Sequence, residues 1–296
     1  MDIIDSEVGY LGYFDSESYG ITWKVRGFCT DLSNQDVFET TNVYGDILNS
    51  DIHHNYYGHY TYGHQGGVWN NNKMHDNWQY GFDPHDDSDY LTISNNIVYN
   101  NVNHGIIASK RCNNVKIFNN QVYDGGALAA GVFLHRSSDN AEVYDNKIWN
   151  MQDAGIALLE SFNADIHDNE VDNAKYGIRM SLGSAGNMVY DNKFNNINRY
   201  GLYTYEGSDP PDVAGGRPYS NTFENNQITE TPGGVKLKQS DGIIVSGNTF
   251  TGTTELEFSD AQSTTWSENT LPAGVCVDNV VEDELIPRPR EHLHHR

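Results

Sequence analysis

Asp83-Pro84-His85 sets a carboxyl group and an imidazole two residues apart, so an extended strand would place both on one face. Tyr80 stands just before them, and His104 and Lys110 follow. Together the five supply a base, two acids, a carboxyl group and a cation. That set suits abstraction of a proton adjacent to a carboxylate. A cation or protonated acid must neutralise the carboxylate, a base must reach the proton, and an acid must approach from the opposite side. His85 is the candidate base, Tyr80 or His104 the acid, and Asp83 with Lys110 the carboxylate-binding groups. Plainer readings exist: tyrosines recur at the position of Tyr80 (Tyr57, Tyr176, Tyr200), and Asp83 beside His85 also suits a surface polar pair.

An array of repeats positions these residues. The pattern Asn-x-apolar recurs at Asn72, Asn96, Asn120, Asn146, Asn169, Asn192, Asn226 and Asn248. A glycine that opens a short apolar strand recurs with it, at Gly58, Gly81, Gly105, Gly131, Gly155, Gly177, Gly201 and Gly234. Both markers repeat every 22–26 residues, with one longer interval each. Segments such as Leu91-Thr92-Ile93-Ser94 alternate as strands do, and no stretch reads as an amphipathic helix. Leucine-rich repeats share the period but need a leucine ladder that is absent, and propeller blades need about 40 residues. The expected fold is therefore all-β, a right-handed parallel β-helix of three short strands per coil. Asn at one turn is expected to stack on itself from coil to coil and to take the left-handed backbone of a tight turn. The boundaries read as an irregular N-terminal edge segment of the solenoid over 1–45, the parallel β-helix that carries the candidate site over 46–271 and a partly tag-like tail over 272–296. Residues 25–45 and the Pro- and Gly-rich stretch after Gly201 read as excursions from the coil.

Counted from each marker glycine, positions +1 and +3 are apolar (Phe82, Ile106, Val132, Leu134) and should face the core. Positions +2 and +4 then face out: Asp83 and His85, Phe133 and His135, Arg179, Tyr203 and Tyr205, Lys236 and Lys238. Lys110 and Arg136 fall at +5. Adjacent coils lie ~4.8 Å apart, so Lys110, Arg136, Arg179, Lys236 and Lys238 read as a basic stripe edged by Tyr62, Tyr203 and Tyr205. Such a stripe suits a linear acidic polysaccharide, whose rings stack on aromatics while its carboxylates pair with Lys and Arg. Charged residues that merely solvate a sheet would look the same.

The chain carries 41 acidic against 18 basic residues, a net charge of -23. That field repels polyanions, which argues against nucleic acid and anionic membrane surfaces as partners. Apolar runs are too short to span a bilayer, and the N-terminus shows no signal-peptide pattern. Cys29, Cys112 and Cys276 are widely spaced and suggest neither a disulfide framework nor a zinc site.

The segment Tyr80-Gly81-Phe82-Asp83-Pro84-His85-Asp86, with His104-Gly105-Ile106-Ile107-Ala108-Ser109-Lys110, resembles the mannuronan C5-epimerases. The likeness runs from about residue 50 to 245 and takes in Gly131–Arg136, Gly155–Glu160 and Gly177–Arg179. That family converts β-D-mannuronate to α-L-guluronate within alginate. By resemblance, Tyr80, Asp83, His85 and His104 match its catalytic quartet. Lys110 stands where the periplasmic type carries an arginine thought to neutralise the substrate carboxylate, and adjacent Arg111 is a further cation there. The secreted members' calcium-binding nonapeptide repeats are absent, so no cofactor is expected to be required, although acidic loops remain able to bind Ca²⁺. The implied partner is an anionic linear polysaccharide, and the implied location extracellular or periplasmic. A uronate lyase is the nearest enzymatic alternative, since it begins with the same proton abstraction. A non-catalytic polysaccharide-binding β-helix is the other. An inverting hydrolase is disfavoured, because its carboxylates stand ~6.5–9.5 Å apart while Asp83 and Glu160 are three coils apart.

Overall fold

The computed structural model describes residues 1–13, 18–25, 42–213 and 215–278. Every strand pairing in it is parallel, and each coil contributes to three stacks of strands. The first stack has eleven strands, from Ile3–Ile4 through Thr92–Ser94 to Thr265–Ser267. The second includes Asp51–His53, Lys73–His75, Ile97–Tyr99 and Gln121–Tyr123. The third includes Tyr57–Tyr62, Phe82–His85, Ile106–Ser109 and Val132–His135. In the coils of Lys147–Leu159 and Glu170–Ser181 the second and third strands run together without a break. The parallel β-helix expected from the repeats is thus the fold.

Strands on either side of 46–271 pair with it. Ile3–Ile4 pairs with Ile47–Leu48, and Gly20–Lys24 with Tyr57–Tyr62, so residues before 46 already build a coil. At the other end Cys276–Asp278 still pairs with Glu255–Glu257. Parallel pairing needs only strands in register, which the weak repeat signal of these end coils conceals. The excursion expected over 25–45 and the tail beyond 278 fall mostly outside the described residues, as does Cys29.

One core runs the length of the coil, and the second stack feeds it with one residue per coil: Ile52, Met74, Val98, Val122, Ile148, Val171, Phe194 and Ile228. The asparagines close it at one corner. Asn120 Nδ2 donates to Asn146 Oδ1, and Asn146 Nδ2 to Asn169 Oδ1, each at 3.0 Å. The same bond links Asn72 to Asn96 and continues to Asn248 and Asn269. The left-handed backbone, however, belongs to the residue before each rung: Asn71, Asn95, Asn119, Asp145, Asp168 and Asp191 have φ between 53° and 58°. The rung asparagine itself turns inward, where its amide satisfies backbone groups that the turn leaves unpaired.

The marker glycines are required by close approach rather than by φ. A Cβ on Gly81 would lie 2.4 Å from Gly105 O, and one on Gly131 would lie 2.4 Å from Ile148 Cγ2 and 2.8 Å from Gly155 O. No larger residue fits between those backbones.

His59 is fully buried between Trp23 and Trp69, with both ring nitrogens unpartnered. Burial, with the nearby His64, holds its pKa well below the ordinary imidazole value. The native state therefore keeps this ring neutral, while the unfolded chain takes up a proton below its pKa of ~6.5. The contribution is fully present above that value and is lost as pH falls. His59→Leu is accordingly expected to gain ~2 kcal/mol more relative stability at about pH 5 than at about pH 8. Thermal denaturation of both proteins at the two pH values checks this, and an equal difference at both would show that His59 is charged in the fold.

Candidate active site

Strand Phe82–His85 is flanked in register by Tyr57–Tyr62 on one side and Ile106–Ser109 on the other. Pro84 brings no N–H to a strand paired along both edges, a position that proline rarely takes. Pairing with Ile106–Ser109 is accordingly recorded at Phe82 and at His85 but not between them. The sheet gives up regular pairing at the point where the chemical groups gather.

His85 sits at the end of this strand, in register with Tyr62 upstream and Ser109 downstream. Its Nδ1–H donates to Asp86 Oδ2 at 2.5 Å, which leaves Nε2 as the nitrogen available to a substrate. Burial works against the imidazolium. The Asp86 hydrogen bond and the charges of Asp83 and Asp86 outweigh it, so the pKa lies above its ordinary value. Asp86 is in turn fixed by Arg111, whose Nη2 reaches Asp86 Oδ1 at 2.8 Å and whose Nε reaches Asp87 Oδ1 at 2.9 Å. Arg111, read above as a further cation beside Lys110, clamps the turn that holds His85.

Asp83 is 1% exposed, and its Oδ1 has no hydrogen-bond partner. Burial, opposed by His85 and assisted by Asp86, raises its pKa to about 7. A carboxyl group so placed carries a proton near neutrality and can donate it in a hydrogen bond. Tyr80 stacks on His104, ring centroids 5.3 Å apart and planes within 4°. Burial first and the Asp83 charge second push the Tyr80 phenol up to about 12, so it stays protonated. His104 Nδ1 accepts from the Ala130 N–H at 3.0 Å. Burial, with His135 and Arg179, lowers its pKa to about 3. The ring is therefore neutral, with its proton on Nε2 as a donor.

Lys110 follows Ser109 in a left-handed turn and, among the described residues, has no ion pair. Its charge acts on His85, Asp86 and His135, which places it beside the base. His135 lies one coil beyond Ser109, whose Oγ is 2.8 Å from His135 Nδ1. Burial, then the charges of Arg136, His85 and Lys110, drops the His135 pKa to about 3, so it remains neutral.

The rest of the basic stripe is not a row of available charges. Arg136 reaches Asp212 at 2.9 Å, Pro210 O at 2.8 Å and buried Glu160 at 3.7 Å. Glu160 also accepts backbone N–H bonds from Asp212, Val213 and Gly215, so the pair anchors the loop after Tyr205. Arg179 is tied to Asp153 at 2.9 Å and to Tyr205 Oη at 2.6 Å. Lys236 is bound to Glu257 at 2.7 Å over the Tyr200 ring. Tyr203 stacks between Tyr176 and Tyr205. Of the stripe's cations beyond Lys110, only Lys238 is exposed without an ion pair among the described residues. The outward face is also far drier than expected: Ile107, Phe133, Ala157, Leu159 and Tyr176 form a second buried cluster on it. Sequence reading missed Asp86 as a partner of His85, although an acidic residue directly after the histidine was the available signal. It also missed Asp153 and Glu257, whose pairing depends on register between distant coils.

Comparison with known proteins places this geometry. The family described as periplasmic copper-binding protein (NosD) matches residues 37–209, more than half of the chain. The chain belongs to the NosD family. Within it, the NosD-family chain is 33% identical over 192 residues to a mannuronan C5-epimerase of Pseudomonas putida, covering 64% of this chain and 36% of that one. It is 34% identical over 187 residues to mannuronan C5-epimerase AlgG of Azotobacter vinelandii, covering 62% and 34%. The crystal structure of the periplasmic alginate epimerase AlgG superposes with a TM-score of 0.68 at 25% identity, over 90% of this chain and 58% of that one. The resemblance read from the Asp-Pro-His strand is therefore borne out. The NosD-family chain spans little more than a third of the length of the curated relatives it matches. Copper, named in the family's description, finds no matching donor set: among the described residues, no three His, Cys, Asp or Glu side chains are grouped to hold a metal ion.

Proposed function

We propose that this β-helix is a polymer-level mannuronan C5-epimerase acting on β-D-mannuronate residues of alginate or a closely related polyuronate. The observation that carries the reading is the pairing of buried Asp83, whose pKa is about 7, with His85 oriented by Asp86, beside unpaired Lys110. Protonated Asp83 and the Lys110 ammonium neutralise the C6 carboxylate of the bound sugar, which lowers the cost of a carbanion at C5. His85 Nε2 takes the C5 proton. The stacked Tyr80 and His104 each present a protonated donor, and Tyr80 gives a proton to the opposite face of C5; solvent then reprotonates its phenolate and takes up the proton held by His85, which restores both groups. Every step uses protein groups and water, so the reaction as drawn requires no cofactor. The relatives' activity supports the substrate, and a periplasmic structural neighbour supports work outside the cytoplasm.

The test is incubation with polymannuronate in D₂O, followed by proton NMR and ultraviolet absorbance together. Guluronate signals with deuterium at C5 and no rise in absorbance are expected. Rising absorbance from unsaturated chain ends would make the protein a lyase, and silence in both with polymer bound would make it a binding module.

A further inference from the structure

The turn that leads into the catalytic strands carries an exposed apolar ledge that none of the groups above uses. Trp78 is 68% exposed, Val102 57% and Leu128 77%. Each stands three residues before the marker glycine of its coil, Gly81, Gly105 and Gly131. Trp78 N–H donates to Asn55 O, Val102 N–H to Asn77 O and Gly126 N–H to Asn101 O. Trp78 and Val102 therefore occupy equivalent places on adjoining coils, ~4.8 Å apart, and Leu128 extends the row in the next, longer turn. Among the described residues Trp78 makes no ring–ring contact, although stacked rings are common along this solenoid.

Between the ledge and the Tyr80–His104 stack lies a column of two amides. Asn103 Nδ2 donates to Gln79 Oε1 at 3.5 Å and Gln79 Nε2 to Tyr56 Oη at 3.4 Å, both long bonds. Asn103 Oδ1 is buried with no partner. Moving outward from the catalytic column, the rim thus runs from donors to amides to an exposed apolar row.

We infer that this rim is a neutral sugar-binding subsite: a ring of the polyuronate lays its C–H face on Trp78 and Val102, while Gln79 and Asn103 bond its hydroxyls. The inference rests on the uronate reading above. With most groove cations held by internal carboxylates in a chain of net charge -23, charge supplies little affinity, and stacking with amide bonds takes its place. The ledge is three side chains wide, far short of the ~1,000 Å² a stable protein interface needs, and it is continuous with the catalytic column.

Of the five tryptophans Trp78 alone is exposed, Trp23 and Trp69 being buried and Trp149 and Trp266 half-buried, so the part of the indole emission that is lost with Trp78 reports on the ledge. Polymannuronate titrated into His85→Ala, which binds without turnover, is expected to shift and quench the emission. The change should vanish in His85→Ala/Trp78→Phe, whose affinity is followed by calorimetry. In the otherwise native protein, Trp78→Ala is expected to raise KM ~10-fold with kcat within two-fold. Calorimetric binding without any change in emission would overturn the subsite and leave the uronate reading standing. Absence of calorimetric binding in the native and His85→Ala proteins alike would overturn both.

Discussion

His85→Ala should lower epimerisation of polymannuronate by on the order of 10³-fold or more, with polymer affinity within a few-fold of the native value. The base is at the end of its strand and its side chain is 21% exposed, so its removal opens toward solvent and orphans one acceptor, Asp86 Oδ2. Asp86 keeps its Arg111 partner, and the coil should fold unchanged. Single-turnover NMR with circular dichroism and calorimetry separates the cases. A variant that binds and folds yet still turns over at the native rate would remove His85 from the chemistry.

The same pair dictates the pH profile. The working arrangement needs a proton on Asp83 and none on His85 Nε2, and the two groups titrate against each other. As pH falls, a second proton occupies His85 and the base is lost. As pH rises through about 7, Asp83 ionises and repels the substrate carboxylate. A bell-shaped profile follows, with its basic limb set by Asp83 at about 7. Asp86→Asn removes the carboxylate that raises the His85 pKa, so the acid limb of kcat/KM should move to lower pH. An unmoved acid limb would assign that ionisation to another group.

The second large effect is on stability. The Asn146 side chain accepts from Asn120 N–H and Asn120 Nδ2, and donates to Ile117 O, Tyr144 O and Asn169 Oδ1. All of these groups except Tyr144 O, which is part-buried, belong to a buried corner that water does not reach. Asn146→Ala leaves two donors and several acceptors without partners, at ~1–3 kcal/mol for each group stranded. A loss of ~4 kcal/mol is expected, measured by urea denaturation. Asn146→Asp retains the two accepted bonds but turns three donated ones into repulsions, so it should be no better than alanine.

These residues also mark how far a single sequence can be read. The asparagine rungs and the glycine column were legible because each repeats within one chain, and period alone gives the coil. Which residue of the Asn-Asn or Asp-Asn pair takes the left-handed turn was not, because both types tolerate that backbone. The five chemical side chains were legible as a cluster, since one strand and the next coil hold them. The basic stripe misled because charge was counted on one face without its counter-charges. Asp153 approaches Arg179 only because two continuous strands bring them together, and Glu257 meets Lys236 only through the register of the last coils. Glu160 engages a loop that leaves the solenoid two coils later. Register across coils is a tertiary property, and sequence spacing does not state it.

The rung between Asn192 and Asn226 spans 34 residues, yet its amide bond is 3.0 Å, the same as rungs that span 23 to 26. The neighbouring Asn187–Asn221 contact spans 34 residues as well and measures 2.9 Å. Whatever length of chain loops out after Tyr205, the coils on either side meet as though nothing intervened. The solenoid behaves as a spring-bound notebook into which a leaf of any size can be clipped at that binding, making this the natural port for grafting a foreign segment beside the groove.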